Sequence, residues 1–335
     1  MNHILLMHMA DGLISVPIGI IFFIISVAFI GFSCKKIYTF KDEKKIPMMA
    51  VMGAFVFVAQ MINFTIPGTG SSGHIGGGIL LCLVLGQYPA FLSLCSVLII
   101  QCLFFGDGGL LALGCNMFNM GIIPCFIAYP FVVKPLLKNH FDSKRLMIAS
   151  LLGVVVGLEL GAFAVVLQTV ISQISELPFS TFVAFMLPIH LIIGIIEGII
   201  TAAIVSYVYK ENPNMIDHAL MNQSFAKIHI KKLFYVFLTL VVIIGGGLSL
   251  YASQYPDGLE WSIENVIGNS KIIDHDQTKE TILKVQEATT FLPDYHFSYG
   301  EDRLGVSTSG IVGGAMTLLL VGTIGYILTR KGKHE

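Results

Sequence analysis

Eight stretches of this chain are apolar over the roughly 20 residues that a helix needs to cross hydrocarbon, and they decide most of what it can fold into. They lie at 13–34, 46–66, 89–105, 110–133, 146–171, 182–209, 233–251 and 310–328. Lipid offers no water to bare peptide groups, so such stretches must be helical. A ninth, 75–85, is short, and its consecutive Gly76, Gly77 and Gly78 point to close helix packing or a re-entrant piece. Of the 335 residues 55% are hydrophobic and 12% charged, with mean hydropathy +0.80, which excludes a water-soluble fold. The net charge of −1 leaves no basic excess for holding nucleic acid. All six cysteines fall in or beside apolar runs without a C-x-x-C pair, and read as packing residues.

Orientation follows from the basic residues, which favour the cytoplasmic side. Sixteen of the 20 Lys and Arg fall in four clusters, at 35–45, 134–145, 210–232 and 330–333. The other four lie in 252–308 with ten acidic residues, which marks that segment as external. Placing all four clusters inside requires three crossings between His74 and Lys134, with an inner turn at Gly86–Pro89. The expectation is an all-α polytopic membrane protein of about nine helices, seven plus two, with the N-terminus outside and the C-terminus cytoplasmic. The opening residues have no basic residue before the apolar core and no small-residue cleavage pattern, so the first helix is expected to remain.

Residues 1–12, 67–74 and 106–109 then share the outer surface, where polar groups are few. The opening MNHILLMHMADG offers His3 and His8, with Asp11 as a supporting candidate; His74 and Asp107 come from the other two loops. An amine, a deprotonated amide and an imidazole close fused chelate rings in one plane, a nitrogen set that suits Ni²⁺ and Cu²⁺. A chain starting at Met7 would use the Met7 amine and His8, leaving a fourth corner for His74. A chain starting at Met1 would complete a square with His3 alone. Asp107, in Gly-Asp-Gly-Gly, reads first as a turn former. Inside the membrane, Glu159, His190 and Glu197 stand out, because ionisable groups there are costly. His190 and Glu197 are two helical turns apart and share a face, either as an ion path or as a buried hydrogen-bonded pair. No phosphate loop and no H-E-x-x-H pair occurs, so neither ATP hydrolysis nor zinc-protease chemistry is expected of this chain.

At MHMADGLIS, GTGSSGHIGGG, QCLFFGDGGLLALGCN and PIHLIIGIIEGIIT the chain resembles the CbiM/NikM family, the substrate-binding membrane component of cobalt and nickel energy-coupling-factor transporters. The PDGLE stretch at 256–260 is similar to the small accessory component of those systems, here fused. The resemblance implies a metal-binding transmembrane domain over 1–210, a cytoplasmic linker over 211–232 and a PDGLE domain over 233–335. It implies ligands from the Met7 amine, the His8 amide and imidazole, and the His74 imidazole, with Asp11, Asp107, His190 and Glu197 as possible support and His3 as the alternative ligand. Because six residues precede Met7, the mature chain is expected to begin there.

The implied function is ATP-driven import of Ni²⁺ or Co²⁺, not catalysis, with no resident cofactor. A coupling membrane protein and a pair of ABC-type ATPase subunits are the implied partners, in the plasma membrane of a bacterium or archaeon. The accessory part is expected to aid metal loading. The alternative is a self-sufficient secondary cation transporter working through Glu159, His190 and Glu197.

Overall fold

The computed structural model describes residues 8–40, 42–138, 142–174, 177–226, 228–267, 276–297 and 302–330. Its first half runs from α1 (Val16–Phe40) and α2 (Lys45–Gln60) through a hairpin, β1 (Phe64–Ile66) and β2 (Ser71–Gly73), to α3 (Gly78–Leu85), α4 (Gln87–Phe105) and α5 (Leu113–Leu137). Then come α6 (Ser143–Ser172), α7 (Phe179–Glu211), α8 (Pro213–Leu220), α9 (Lys231–Gly246), α10 (Gly258–Ile267), α11 (Gln277–Thr289) and α12 (Asp302–Arg330). Six of these, α1, α4, α5, α6, α7 and α12, are long and apolar enough to cross a membrane.

The other three expected crossings are shorter than their apolar runs. The run 46–66 ends its helix at Gln60, and Phe64 and Ile66 belong to a strand paired antiparallel with Ser71–Gly73. Pro67 cannot continue a helix, and Gly68 and Gly70 take φ of +80° and +74°, so the chain turns back there. Stretch 75–85 is helical only over Gly78–Leu85, about 12 Å at 1.5 Å per residue, and all eight residues are buried. The run 233–251 is helical to Gly246 and then tightens into a single turn.

Small residues let the helices meet at backbone distance. A Cβ on Gly310 of α12 would lie 2.7 Å from Gly245 Cα on α9, and one on Gly114 of α5 would lie 2.3 Å from the Phe23 nitrogen on α1. α2 is enclosed by α4, α9 and α12, which explains why every residue from Met48 to Gln60 is buried. The C-terminal helices are therefore part of the bundle's wall.

One end of the bundle gathers described residues of the basic stretches 35–45, 134–145 and 210–232. Lys134 Nζ donates to Gln87 Oε1 (3.0 Å), the Gly86 turn packs on Ala219, and Phe225 N donates to Asp42 Oδ2 (2.6 Å). Segment 211–232, expected as a linker, is a folded plug here: Met215, Ile216, Ala219 and Phe225 are fully buried. Its apolar residues are spaced for one face of a short helix and have α3 to cover.

Candidate metal site

At the opposite end, the segment leading into α1 is threaded against the loop between α4 and α5. The Asn116 side chain pairs with the main chain of Met9 in both directions, Met9 N to Oδ1 and Nδ2 to Met9 O, each at 3.1 Å. Gly109 N also donates to Met9 O (3.0 Å), and Asp11 Oδ1 accepts from Ala112 N (2.8 Å). Gly106 and Gly108, with φ of +68° and +80°, turn the loop so that Asp107 faces inward. Asp107 is thus a turn residue, as its glycine neighbours suggest, with its carboxylate directed at the site.

These contacts bury His8, 3% exposed, beside Asp107, 2% exposed. His8 Nδ1 lies 2.9 Å from Asp107 Oδ2, and the same oxygen accepts from the Tyr295 hydroxyl (2.6 Å). His8 Nε2 is buried without a hydrogen-bond partner among the described residues. Burial alone would disfavour the charged imidazole, but the Asp107 carboxylate outweighs it and raises the His8 pKa. Burial likewise works against the Asp107 anion, and His8 with the Tyr295 hydrogen bond overrides it, holding the carboxyl below its ordinary value.

The hairpin delivers His74. Its ring centroid lies 5.6 Å from that of His8, with the planes inclined at 53°, across 66 residues of sequence. His74 is half-buried, and α3 starts four residues later and spans only about 12 Å to the basic end. Both rings line a cavity of about 110 Å³, together with Asn119, His190, Glu197 and Asp257. Among the described residues no three His, Cys, Asp or Glu side chains converge as a metal cage. A metal here would draw two imidazole nitrogens from side chains and its other donors from the main chain. Borderline cations such as Ni²⁺ and Co²⁺ accept such a nitrogen set.

His190 and Glu197 share the cavity, as their spacing suggests, but Glu159 is not among its lining residues. His190 Nδ1 is 2.7 Å from Met186 O, and both Glu197 oxygens accept backbone amides of the hairpin's exit. Met7 and His3 lie outside the described residues, as do several of the basic residues used for orientation.

Three residues were not singled out from sequence. Asn116 lies inside a motif quoted above, and Asp257 inside PDGLE, where Asp before Gly and a helix is a cap signal. Tyr295 had no signal, being one aromatic in an acidic stretch. The described parts of the acidic segment, read above as external, pack on the site. Ser72 N donates to Pro256 O (2.8 Å), Ser72 Oγ to Tyr255 O (2.7 Å) and Trp261 Nε1 to Thr69 O (2.9 Å). Asp257 Oδ1 caps α10 by accepting from Glu260 N (2.8 Å), and burial pushes its carboxyl up to about 6. Gln286 of α11 donates to Gly108 O (2.8 Å), bracing the Asp107 turn.

Residues 8–215 match the family model described as the cobalt uptake substrate-specific transmembrane region, CbiM, and residues 231–330 match the PDGLE domain. A protein of Archaeoglobus fulgidus whose name assigns it as a fused nickel transport protein, NikMN, is 30% identical over 97% of this chain and 98% of its own length. A cobalt transport protein, CbiM, of Thermosipho melanesiensis is 31% identical over 62% of this chain and 88% of its own. A crystal structure of a transition metal transporter superposes with a TM-score of 0.54 at 30% identity, covering 61% of this chain and 93% of that one. Cavity-lining residues from His8 to Glu197 lie within the first matched region, and Asp257, Gly258 and Leu259 within the second. The chain belongs to the CbiM family of cobalt uptake transmembrane regions and carries a PDGLE domain behind it.

Proposed function

We propose that this chain is the substrate-capture component of a Ni²⁺ or Co²⁺ importer in the plasma membrane of a bacterium or archaeon. The metal is held by the Met7 amine, the His8 amide and Nδ1, the ring nitrogen that closes a chelate with that amide, and the His74 imidazole, with the Asp107 carboxylate beside Nδ1. The chain crosses the membrane nine times, with its N-terminus outside and its C-terminus inside, so the cavity loads from the external face. Residues 1–210 form the metal-binding unit, 211–232 a cytoplasmic connection and 233–335 the PDGLE unit, whose part 252–308 lies outside. A coupling membrane protein and a pair of ABC-type ATPases supply the work that turns the site inward, which a chain without a nucleotide-binding loop needs from elsewhere.

The observation that carries this reading is the approach of two imidazoles, His8 buried and His74 half-buried, to 5.6 Å from segments 66 residues apart, inside the family-matched region. Names among the relatives include both nickel and cobalt transport, and imidazole nitrogen serves either ion. A secondary transporter working through Glu159, His190 and Glu197 has less support, since Glu159 stands off the cavity and Glu197 is engaged by two amides.

Titration of the purified full-length protein with Ni²⁺ tests the assignment, wild type beside His74→Ala, with the intact mass recorded. The expected result is one equivalent bound by wild type with a planar nitrogen spectrum, loss of that spectrum in the variant, and a mass beginning at Met7. Unchanged binding in His74→Ala would refute the ligand set.

A further inference from the structure

Glu197 lies about 27 Å along α7 from Phe179, near the middle of a membrane-length helix. It is 3% exposed, and among the described residues no Lys or Arg forms an ion pair with it. Its charge is met by main chain instead. Oε2 accepts from Gly76 N and Oε1 from Gly77 N, both at 2.9 Å. Gly77 takes φ of +78°, which turns two successive N–H groups toward one point and makes an anion-binding nest. α3 begins at the next residue, so the carboxylate also sits at a helix's positive end. A side chain at Gly77 is barred twice, by that φ and by Val56, which a Cβ would meet at 2.7 Å.

The nest begins two residues after His74. From it a line of hydrogen bonds continues to the other histidine's support. Gly76 O accepts from Gln60 Nε2 (2.9 Å), Gln60 Oε1 accepts from Gln101 Nε2 (2.8 Å), and Gln101 O accepts from Asp107 N (3.0 Å). Glu197 therefore anchors one end of a buried polar line whose other end is the residue against His8.

We propose that Glu197 is a positioning residue for metal capture: by clamping the two amides that follow His74, it fixes the His74 imidazole opposite His8. This rests on the reading of His8 and His74 as metal ligands. A carboxylate suits the task because it offers two acceptors to two adjacent donors. Glutamine keeps one acceptor and turns an NH₂ toward the second amide, whereas aspartate is one methylene short of serving both.

Full-length protein in detergent, titrated with Ni²⁺ as wild type, Glu197→Gln, His74→Ala and the double variant, provides the test. Glu197→Gln is expected to weaken Ni²⁺ binding roughly 10- to 100-fold, the range for removing a support of a metal ligand. Its ligand-field spectrum should move toward that of His74→Ala, and in the His74→Ala background the substitution should cost nothing further, because its effect passes through His74. Thermal unfolding of each variant separates this from loss of fold. If Glu197→Gln does not fold, Glu197→Asp, which keeps the charge, is read by the same cycle with a smaller loss expected. Wild-type Ni²⁺ affinity in Glu197→Gln, or losses that multiply in the double variant, would overturn the positioning role. Wild-type affinity in His74→Ala would instead refute the ligand assignment, and the positioning role would fall with it.

Discussion

Both histidine-bearing segments are held along the main chain, that of His8 at Met9, but only the His8 ring is also gripped by a carboxylate. His8 is gripped through its ring, by a carboxylate 2.9 Å away that Tyr295 also touches. The segment carrying His74 is gripped along its main chain, at Thr69 and Ser72 by the PDGLE stretch and at Gly76 and Gly77 by Glu197. A ring grip depends on one side chain and fails when that side chain changes. A main-chain grip is indifferent to most side chains it holds and fails only at its holders. The C-terminal half contributes to both, through Tyr295 on one side and Pro256 to Trp261 on the other.

The largest expected effect is on the main-chain side and comes from pH. Burial raises Asp257 from its ordinary 3.8 to about 6. A raised acid favours the folded arrangement while protonated, so this stabilisation is complete below about pH 4 and lost as pH rises through 6. At about 1.4 kcal/mol per pH unit the difference reaches about 3 kcal/mol. The amide of Ser72, which donates to Pro256 O, should exchange more slowly at pH 4 than at pH 8 after correction for intrinsic rates. The opposite trend would refute the Asp257 contribution.

On the ring side, Asp107→Asn should lower Ni²⁺ affinity roughly 10- to 100-fold. Tighter binding in a Ni²⁺ titration would mean that Asp107 competes with the metal for the ring nitrogen instead of supporting it. Tyr295→Phe is the mildest change. It removes one hydrogen bond to a charged acceptor, worth roughly 1.5 kcal/mol in thermal or denaturant unfolding. Ni²⁺ affinity should fall by less than about tenfold, on the ring side only. An effect as large as that of Asp107→Asn would show that the C-terminal half controls His8 more strongly than Asp107 itself does.

Much of this was legible in the sequence because burial in lipid leaves a long-range signature. The six long helices follow directly from apolar runs, and His8, His74 and Asp107 were nominated by their scarcity among apolar neighbours. The hairpin was hidden because Phe64 and Ile66 extend the apolar run of α2, and alternation over three residues cannot be told from helix by periodicity. The shortness of α3 was visible in stretch 75–85, but its starting residue was not, since glycine marks close packing without saying where a helix starts. Tyr295 was unreadable for a different reason: its importance lies wholly in a contact 188 residues away. His190 and Glu197 were correctly placed on one face, but the partners that engage Glu197 are backbone amides, which every sequence has.

The shortness of α3 carries an electrical consequence. Under the proposed topology His74 is joined to the basic, inward end by only about 12 Å of helix, less than the roughly 30 Å of hydrocarbon, which puts it within the transmembrane field. A divalent cation gains about 0.5 kcal/mol for each tenth of a 100 mV potential that it crosses. With the proposed orientation and a negative interior, voltage itself draws the metal onto the histidines, so occupancy should rise with membrane potential before any nucleotide is spent.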